Sequence, residues 1–392
     1  MMWKEKIHKD LLHLKNNAQT RQLKQTRNAT NKQITIDGQQ MLNLASNNYL
    51  GLANHPHMKQ ASIEATEQYG AGATASRLIV GNHPVYEEAE NALLAWKRAD
   101  AGLIINSGYT ANVGIISSLV GRHDFVFSDQ LNHASIVDGI ILSRAKHKRY
   151  RHNNMNHLES MLKKAPSHKR KLIVTDTVFS MDGDVSPLHD LVTLKERYNA
   201  LLLVDEAHGT GVYGPNGEGY SYDQNVQQHI DLHMGTFSKA LGCFGAYVIG
   251  NELLIDYLMN KMRSFIFTTG LPPATLGAIQ AAILIAQIAD ERRLRLHQLA
   301  NRFRTLLQDY GFSTYDSKSQ IVPIHVGTNE DALQFSEYLQ AEGIAAIAIR
   351  PPTVPENEAR IRFTVMADHT EKELRQAATT IASVGKELGV IS

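Results

Sequence analysis

The chain has 392 residues, more than one hydrophobic core usually supports, so we expect two domains of unequal size. Its 43% hydrophobic and 20% charged residues are ordinary for a globular protein, and a net charge of +1 gives no reason to expect nucleic acid as a partner. No apolar run approaches the roughly 20 residues that span a bilayer, and the start of the chain lacks a signal-peptide core. The single cysteine, Cys243, excludes an internal disulfide and is typical of a reducing compartment, so we expect a cytoplasmic protein that does not bind membranes.

The first 42 residues predict a helix followed by a hairpin. Apolar residues at positions 3, 7, 11 and 14 keep helical spacing, and several lysines give this amphipathic arm a basic face. Asp37-Gly38 lies between alternating apolar residues, which is a strong signal for a tight turn between two strands over 34–42.

Strand and helix patterns then alternate as far as about residue 250. Apolar runs predict strands at 101–105, 125–128, 172–176, 201–204 and 242–250, the last of them antiparallel to its neighbours. Intervening segments predict helices at 85–96, 110–119, 131–145, 188–198 and 252–262. This order predicts a doubly wound, mostly parallel α/β sheet. After a long helix at 274–288, strands at 321–326, 344–349 and 360–365 and helices at 330–339 and 370–385 predict a smaller α+β domain.

The segment 201–241 contains the strongest candidate site. Asp205 falls at the carboxyl end of a buried strand with His208 three residues later, and Thr236 and Lys239 follow the next strand-like run. Ligands of open α/β sheets bind at that edge. Pyridoxal phosphate requires a Schiff-base lysine and an acidic partner for its ring nitrogen. Lys239 and Asp205 fit these roles, and the alternative is that Asp205 is a helix cap and Lys239 a solvated surface residue.

A second candidate is the turn between the strand at 101–105 and the helix at 110–119. Ser107, Gly108 and Tyr109 occupy this turn, and the unpaired amides of a helix N-terminus bind anions, so they are candidates for a phosphate site. Glycines at 70–81 lack the spacing of a dinucleotide fingerprint. Histidines in the basic stretch 144–157 lack the spacing of a zinc site, so we expect a solvated face there and no metal.

A series of motifs in the same order resembles the α-oxoamine synthase family. The motifs are NLASNNYLGL (43–52), GAGATASRLIVGNH (70–83), SGYTAN (107–112), SDQLNHASIVDG (128–139), VTDTVFSMDGD (174–184), DEAHGTG (205–211), GTFSKALG (235–242), FIFTTGLPP (265–273) and AIRPPTVP (348–355). The resemblance implies a fold type I pyridoxal phosphate enzyme that joins an amino acid to an acyl thioester with loss of carbon dioxide. It implies a homodimer and three segments, with an N-terminal arm and hairpin (1–55), a large cofactor-binding domain (56–288) and a small C-terminal domain (289–392).

The resemblance also assigns roles to individual residues. It implies that His133 stacks on the cofactor ring, that His208 lies over the ring hydroxyl and that Ser180 contacts the cofactor. Thr268 is implied to bind the phosphate held by the other subunit. The residues implied for the two substrates are Asn47 and Arg362 for the amino acid and Arg21, Arg350 and Thr353 for the acyl group.

The motif AIRPPTVP is similar to that of the family branch that condenses L-alanine with a pimeloyl thioester in biotin synthesis. The thioester carrier, coenzyme A or acyl carrier protein, is left open. The tail at 384–392 is similar instead to the branch that uses glycine and acetyl-CoA, and this remains the alternative. A non-catalytic protein that keeps the cofactor fold would be expected to lack the lysine or the aspartate, and both are present.

Overall fold

The computed structural model describes residues 2–392 of the chain. Its strands are β1 (Thr26–Arg27), β2 (Gln33–Ile36), β3 (Gln39–Asn43), β4 (Ala101–Ile105), β5 (Phe125–Asp129), β6 (Lys146–Tyr150), β7 (Lys171–Asp176), β8 (Leu201–Asp205), β9 (Leu232–Thr236), β10 (Ala246–Gly250), β11 (Ile321–Gly327), β12 (Ile344–Ala345), β13 (Ile347–Ile349) and β14 (Ala359–Thr364).

The α-helices alternate with these strands over much of the chain. They are α1 (Met2–Asn16), α2 (Pro56–Tyr69), α3 (Pro84–Lys97), α4 (Gly108–Leu119), α5 (Ala134–Ser143), α6 (Met155–Lys164), α7 (Leu188–Arg197), α8 (Tyr220–Asp223), α9 (Glu252–Lys261), α10 (Arg263–Ile266), α11 (Pro273–Gln287), α12 (Asp290–Asp309), α13 (Asn329–Ala341) and α14 (Glu371–Glu387).

The chain divides into two compact units. The large unit consists of residues 50–180 and 185–293, and the small unit consists of the segment up to residue 49, residues 181–184 and residues 294–392. The sequence-based division at 1–55, 56–288 and 289–392 remains a prediction.

The large unit is built on a seven-stranded sheet with the order β4-β10-β9-β8-β7-β5-β6. Only β10 runs against its neighbours, and its antiparallel pairing with β4 and β9 confirms the predicted direction of the strand at 242–250. The other pairs are parallel. Each face of the sheet is covered: Leu203 of β8 packs in a cluster with helices α4, α5 and α9, whereas Leu202 and Val204 pack in a second cluster with α6 and α7. A strand that is buried on both faces requires the continuous apolar run seen here.

The small unit contains the other two sheets. One has the order β1-β2-β3-β12 and the other the order β11-β14-β13. The predicted hairpin is confirmed as β2 and β3, and Asp37 and Gly38 have φ angles of 48° and 90°, as a turn matched to the twist of the strands requires. The predicted strand at 344–349 is wrong in one respect. It is divided into β12, which pairs with β3, and β13, which pairs with β14.

Several elements were not predicted, among them β6, α6 and α12. The basic stretch at 144–157 contains β6 and leads into α6. Its cationic side chains therefore lie on an exposed edge strand. Charged residues are common on edge strands because they discourage pairing with other chains. The 20-residue helix α12 was also missed, although its leucines and Phe303 have helical spacing.

No single helix in the described part of the chain is long and apolar enough to cross a membrane, and one bent pair of helices, α11 and α12, qualifies by length and composition only.

Candidate active site

The carboxyl ends of three neighbouring strands in the large unit lie level with one another. Asp176 at the end of β7 pairs with Asp205 at the end of β8, and Asp205 pairs with Met234 of β9. A cavity of about 170 Å³ opens at this edge. It is lined by Gly108, Tyr109, Asn112, His133, Ser135, Asp176, Ser180, Asp205, Ala207, His208, Met234, Thr236, Ser238 and Lys239.

Lys239 lies in the loop that follows β9, and its amine faces the imidazole predicted to accompany it. Lys239 Nζ is 2.9 Å from His208 Nε2, and both side chains line the cavity. Asp205, the third predicted member of the group, lines the same cavity. The predicted amine, imidazole and carboxylate are therefore assembled at the expected edge of the sheet.

The Asp205 carboxylate is buried and held by two neutral donors. Its Oδ1 accepts a hydrogen bond of 2.8 Å from the amide of Ala207, and its Oδ2 accepts one of 2.8 Å from Asn112 Nδ2. Neutral donors fix the orientation of a carboxylate and leave its charge uncancelled. Such a carboxylate favours the protonated form of a basic nitrogen that faces it.

A second acid, Asp176, was not predicted as a site residue. Burial raises the pKa of Asp176 well above its usual range, and the neighbouring charge of Asp205 acts in the same direction. The two acids at these neighbouring strand ends therefore differ in their surroundings. The position of Asp176 at the end of a buried strand, inside the motif VTDTVFSMDGD, was the signal that could have identified it.

His133 is held at the N-terminus of α5. Its amide donates to Asp176 Oδ2 at 2.8 Å, and its Nδ1 lies 2.7 Å from Ser135 Oγ. Removal from water lowers the pKa of His133, while the charge of Asp205 opposes this shift and that of Lys239 adds to it. The cavity therefore presents a neutral imidazole beside the amine.

The predicted phosphate turn is the N-terminus of α4. Ser107 caps this helix, because its Oγ accepts a hydrogen bond of 3.3 Å from the Thr110 amide and its own amide donates to Thr110 Oγ1 at 3.1 Å. The Ser107 side chain is thus used by the helix and does not line the cavity, whereas Gly108 and Tyr109 do.

The surroundings of this turn fit an anion. A Cβ on Gly108 would lie 2.7 Å from Thr236 Cγ2, so glycine is needed where the helix approaches β9. Thr236 Oγ1 is buried and has no hydrogen-bond partner among the described residues. That hydroxyl and the first amides of α4, which helix geometry leaves unpaired, are donors suited to a phosphate.

Two further predicted residues, Ser180 and Thr268, differ in whether they line the cavity. Ser180 lines the cavity, but Thr268 does not, and its Oγ1 accepts a hydrogen bond of 3.3 Å from Asn106 Nδ2. Its role toward a second subunit stays a prediction.

Tyr109 lies at the exposed rim, where its hydroxyl donates to Asp138, and this hydrogen bond raises the pKa of Tyr109.

The small unit brings Asn47 and Arg362 together. Arg362 is buried on β14, and its Nη2 donates to Asn47 Oδ1 at 3.1 Å and to Tyr49 Oη at 3.4 Å. The neighbouring Arg360 has a different function, because it forms a 2.6 Å ion pair with Asp182. The two strand arginines are therefore distinct in their surroundings.

The remaining three predicted residues are also in the small unit. Arg350 donates from Nη1 to the carbonyl of Ala18 and from Nη2 to that of Thr20 at 3.4 Å. Burial and the nearby charge of Arg21 lower the pKa of Arg350, so two guanidinium groups share one region. Thr353 is exposed, and its amide donates to the carbonyl of Arg350 at 3.1 Å.

Residues 39–381 match the model of the family described as aminotransferase class I and II. This match covers most of the chain. The chain belongs to the aminotransferase class I and II family.

Relatives within this family agree with the resemblance seen in the motifs. A Bacillus cereus (strain G9842) protein, named provisionally as an 8-amino-7-oxononanoate synthase, is 58% identical over 386 residues that cover 98% of each chain. The solved 8-amino-7-oxononanoate synthase of Francisella tularensis has a TM-score of 0.78 and 27% identity, covering 88% of this chain and 98% of its own.

A serine palmitoyltransferase from S. paucimobilis, solved with a bound pyridoxal phosphate–myriocin adduct, has a TM-score of 0.89 and 33% identity. It covers 92% of this chain and 91% of its own. The predicted fold class, a fold type I transferase with a mostly parallel sheet and a smaller α+β part, is confirmed by these structures and by the sheet order. The resemblance to α-oxoamine synthases is likewise confirmed.

Proposed function

We propose that this class I and II family member condenses L-alanine with a pimeloyl thioester. The products are 8-amino-7-oxononanoate, carbon dioxide and the free thiol, a reaction of biotin synthesis. The observation that carries the proposal is the cavity in which Lys239, His208 and Asp205 meet, in a chain 58% identical to a relative that carries the name of this synthase.

The enzyme is a pyridoxal phosphate-dependent acyltransferase. When bound, this cofactor supplies an aldehyde that accepts amines and a ring that stabilises negative charge at the substrate's Cα. Lys239 would hold the aldehyde carbon, Asp205 the ring nitrogen and His133 the ring face, with His208 near the ring hydroxyl. The phosphate would be held by Gly108, Tyr109, Thr236 and the backbone of Ser107, near Ser180, with Thr268 of a second subunit completing the site.

Lys239 carries the proton chemistry in this proposal. With the cofactor bound, the amine of Lys239 would be the base that removes the proton from the substrate's Cα and returns one after carbon dioxide has left. His208 Nε2, 2.9 Å from the amine, orients it by a hydrogen bond. Positioning of this kind is a large share of enzymatic rate enhancement.

Arg362 is proposed to bind the carboxylate of the amino acid. A guanidinium binds a carboxylate with two parallel hydrogen bonds, and burial strengthens both. Asn47 already accepts a hydrogen bond from Arg362, which supports a shared role at the amino-acid end of the site.

The acyl end is proposed to involve Arg21, Arg350 and Thr353. A pimeloyl chain ends in a carboxylate, whereas an acetyl group has no charge to bind. The charge of Arg21 lowers the pKa of Arg350, because the two guanidinium groups repel each other. An anion between them would relieve this repulsion. This pair therefore favours the pimeloyl donor over glycine plus acetyl-CoA.

We further propose that the enzyme is a homodimer and that coenzyme A or acyl carrier protein carries the pimeloyl group. The dimer would be needed for function, because Thr268 is predicted to bind the phosphate held by the other subunit.

The proposal is tested by measuring thiol and carbon dioxide release with two substrate pairs, L-alanine with pimeloyl-CoA and glycine with acetyl-CoA. We expect kcat/KM to be larger for the first pair. We also expect Arg350→Ala to raise KM for pimeloyl-CoA by about tenfold to a hundredfold, the effect of one charge-assisted hydrogen bond, with little change in KM for alanine.

Arg375→Ala is a matched control, because Arg375 is an exposed helical residue paired with Glu371. Faster turnover of glycine and acetyl-CoA would overturn the proposal in favour of that branch. No thiol release with either pair would favour a binding protein.

A further inference from the structure

A chain of hydrogen bonds connects Asp205 to His133 through two residues that no motif argument singled out. Asn112 Nδ2 donates to Asp205 Oδ2 at 2.8 Å and to Ser135 Oγ at 2.9 Å. Ser135 Oγ in turn lies 2.7 Å from His133 Nδ1. Asn112 and Ser135 are both fully buried, so these bonds are made in the absence of competing water.

The direction of each bond follows from the charge of Asp205. An amide nitrogen can only donate, and a carboxylate can only accept, so the amide of Asn112 must face Asp205 with its nitrogen. The same nitrogen uses its second hydrogen on Ser135 Oγ. Ser135 Oγ accepts that bond and keeps its own hydrogen available for His133 Nδ1, 2.7 Å away.

The backbone amide of Ser135 decides the state of that ring nitrogen. It donates to His133 Nδ1 at 3.3 Å. An amide can only donate, so Nδ1 must carry a lone pair, and the proton of the neutral ring is then on Nε2. With Nδ1 as an acceptor, the Ser135 hydroxyl is the donor in its 2.7 Å contact with the same nitrogen.

We propose that Asn112 and Ser135 are positioning residues which, through this chain from Asp205, hold His133 as the neutral imidazole protonated on Nε2. His133 Nε2, which is not part of this chain of hydrogen bonds, then offers an N–H donor. That use of the donor in catalysis depends on the proposed function, whereas the placement of the proton does not.

The groups around His133 agree with a neutral ring. Asp205 on β8 and Asp138 on α5 favour its charged form, and Lys239 opposes it. Asp176 on β7 accepts a hydrogen bond from the His133 amide, and burial raises the pKa of this acid well above its usual range. Burial is the largest effect and lowers the pKa of His133 below its usual value, which leaves the ring neutral at pH 7.

The test is ¹⁵N NMR of the full-length enzyme with its cofactor bound, labelled with ¹⁵N-histidine, at pH 7. The His133 signals are identified by their loss in His133→Gln. We expect a pyridine-like Nδ1 and a pyrrole-like Nε2. In Ser135→Ala, we expect the ratio of the two tautomers to move toward Nδ1–H by about tenfold, the effect of one hydrogen bond.

Asn112→Leu should shift the ratio in the same direction, because Ser135 then loses the donor that orients it. Ser143→Ala is the control, since its buried hydroxyl lies at the other end of α5 and bonds only near that end. A His133 protonated on Nδ1 in the unmodified enzyme would overturn the proposal, as would an unchanged ratio in both variants. These spectra do not depend on turnover, so failure of the proposed condensation is a separate outcome.

Discussion

At the scale of single residues, the charge of Asp205 determines what the cavity can do. Its two hydrogen bonds come from neutral donors, and burial together with the charge of Asp205 raises the pKa of its neighbour Asp176 well above the usual range. The Asp205 carboxylate lines the same cavity as the amine of Lys239. Two acids at neighbouring strand ends thus have different roles because their surroundings differ.

Asp205→Asn preserves the size of the side chain and removes this charge. Two unit charges about 4 Å apart attract by about 4 kcal/mol at an effective dielectric constant of 20, so we expect turnover to fall by a factor on the order of 10³. Thiol release measures this effect. Asp223→Asn, at an exposed position on α8, is the control. An Asp205→Asn enzyme with near-normal turnover would show that the ring nitrogen does not need this charge.

The residue types of the site could be predicted, but not all of its members. Lys239, His208 and Asp205 could be located because strand ends and motif spacing mark them. Asn112 and Ser135 lie inside helical motifs, and their contacts depend on how α4 and α5 pack, which periodicity does not specify. Ser107 lies in the predicted turn, but its side chain caps the helix, so only its backbone remains for a ligand.

At the scale of elements, the sequence predicts buried strands better than exposed ones. The runs that became β7 and β8 are apolar because both faces of these strands are covered. The edge strand β6 has no such requirement, and its sequence KHKRY carries no strand signal. The division of 344–349 into β12 and β13 could not be foreseen, since it reflects two partner strands in different sheets.

The capping box of α4 gives a prediction at this scale. Ser107→Ala removes an N-cap that satisfies the Thr110 amide, so we expect the free energy of unfolding to fall by about 1 kcal/mol. Denaturant titration measures the change. Ser117→Ala is the control, because its hydroxyl bonds to the Val113 carbonyl inside the same helix. An equal or smaller loss in Ser107→Ala than in the control would contradict the capping role.

At the scale of the whole molecule, buried histidines connect stability to pH. Burial lowers the pKa of His369 to about 4, and that of His233 likewise to about 4. Both rings must be neutral in the folded protein, whereas an unfolded histidine titrates near 6.5. Their contribution to stability is therefore complete above about pH 6.5 and is lost as the pH falls toward 4.

His369→Gln isolates one of these contributions. The His369 ring accepts from the Met366 amide at 3.1 Å and lies 3.2 Å from the Asn43 carbonyl. Between pH 7 and pH 5, we expect the unmodified protein to lose about 2 kcal/mol more than the variant, since one unit of pKa difference corresponds to about 1.4 kcal/mol. Denaturant titrations at both pH values measure this difference. Equal losses in the two proteins would show that His369 does not titrate with unfolding.

The central claim is that the amine of Lys239 holds the cofactor, and its most direct test is chemical. Borohydride reduces a Schiff base to a stable bond, so the reduced enzyme can be digested and its peptides weighed. The account predicts a yellow protein that is bleached by the reagent, with a phosphopyridoxyl group on Lys239 and on no other lysine. A modified lysine elsewhere, or a colourless protein without any modified lysine, would contradict it.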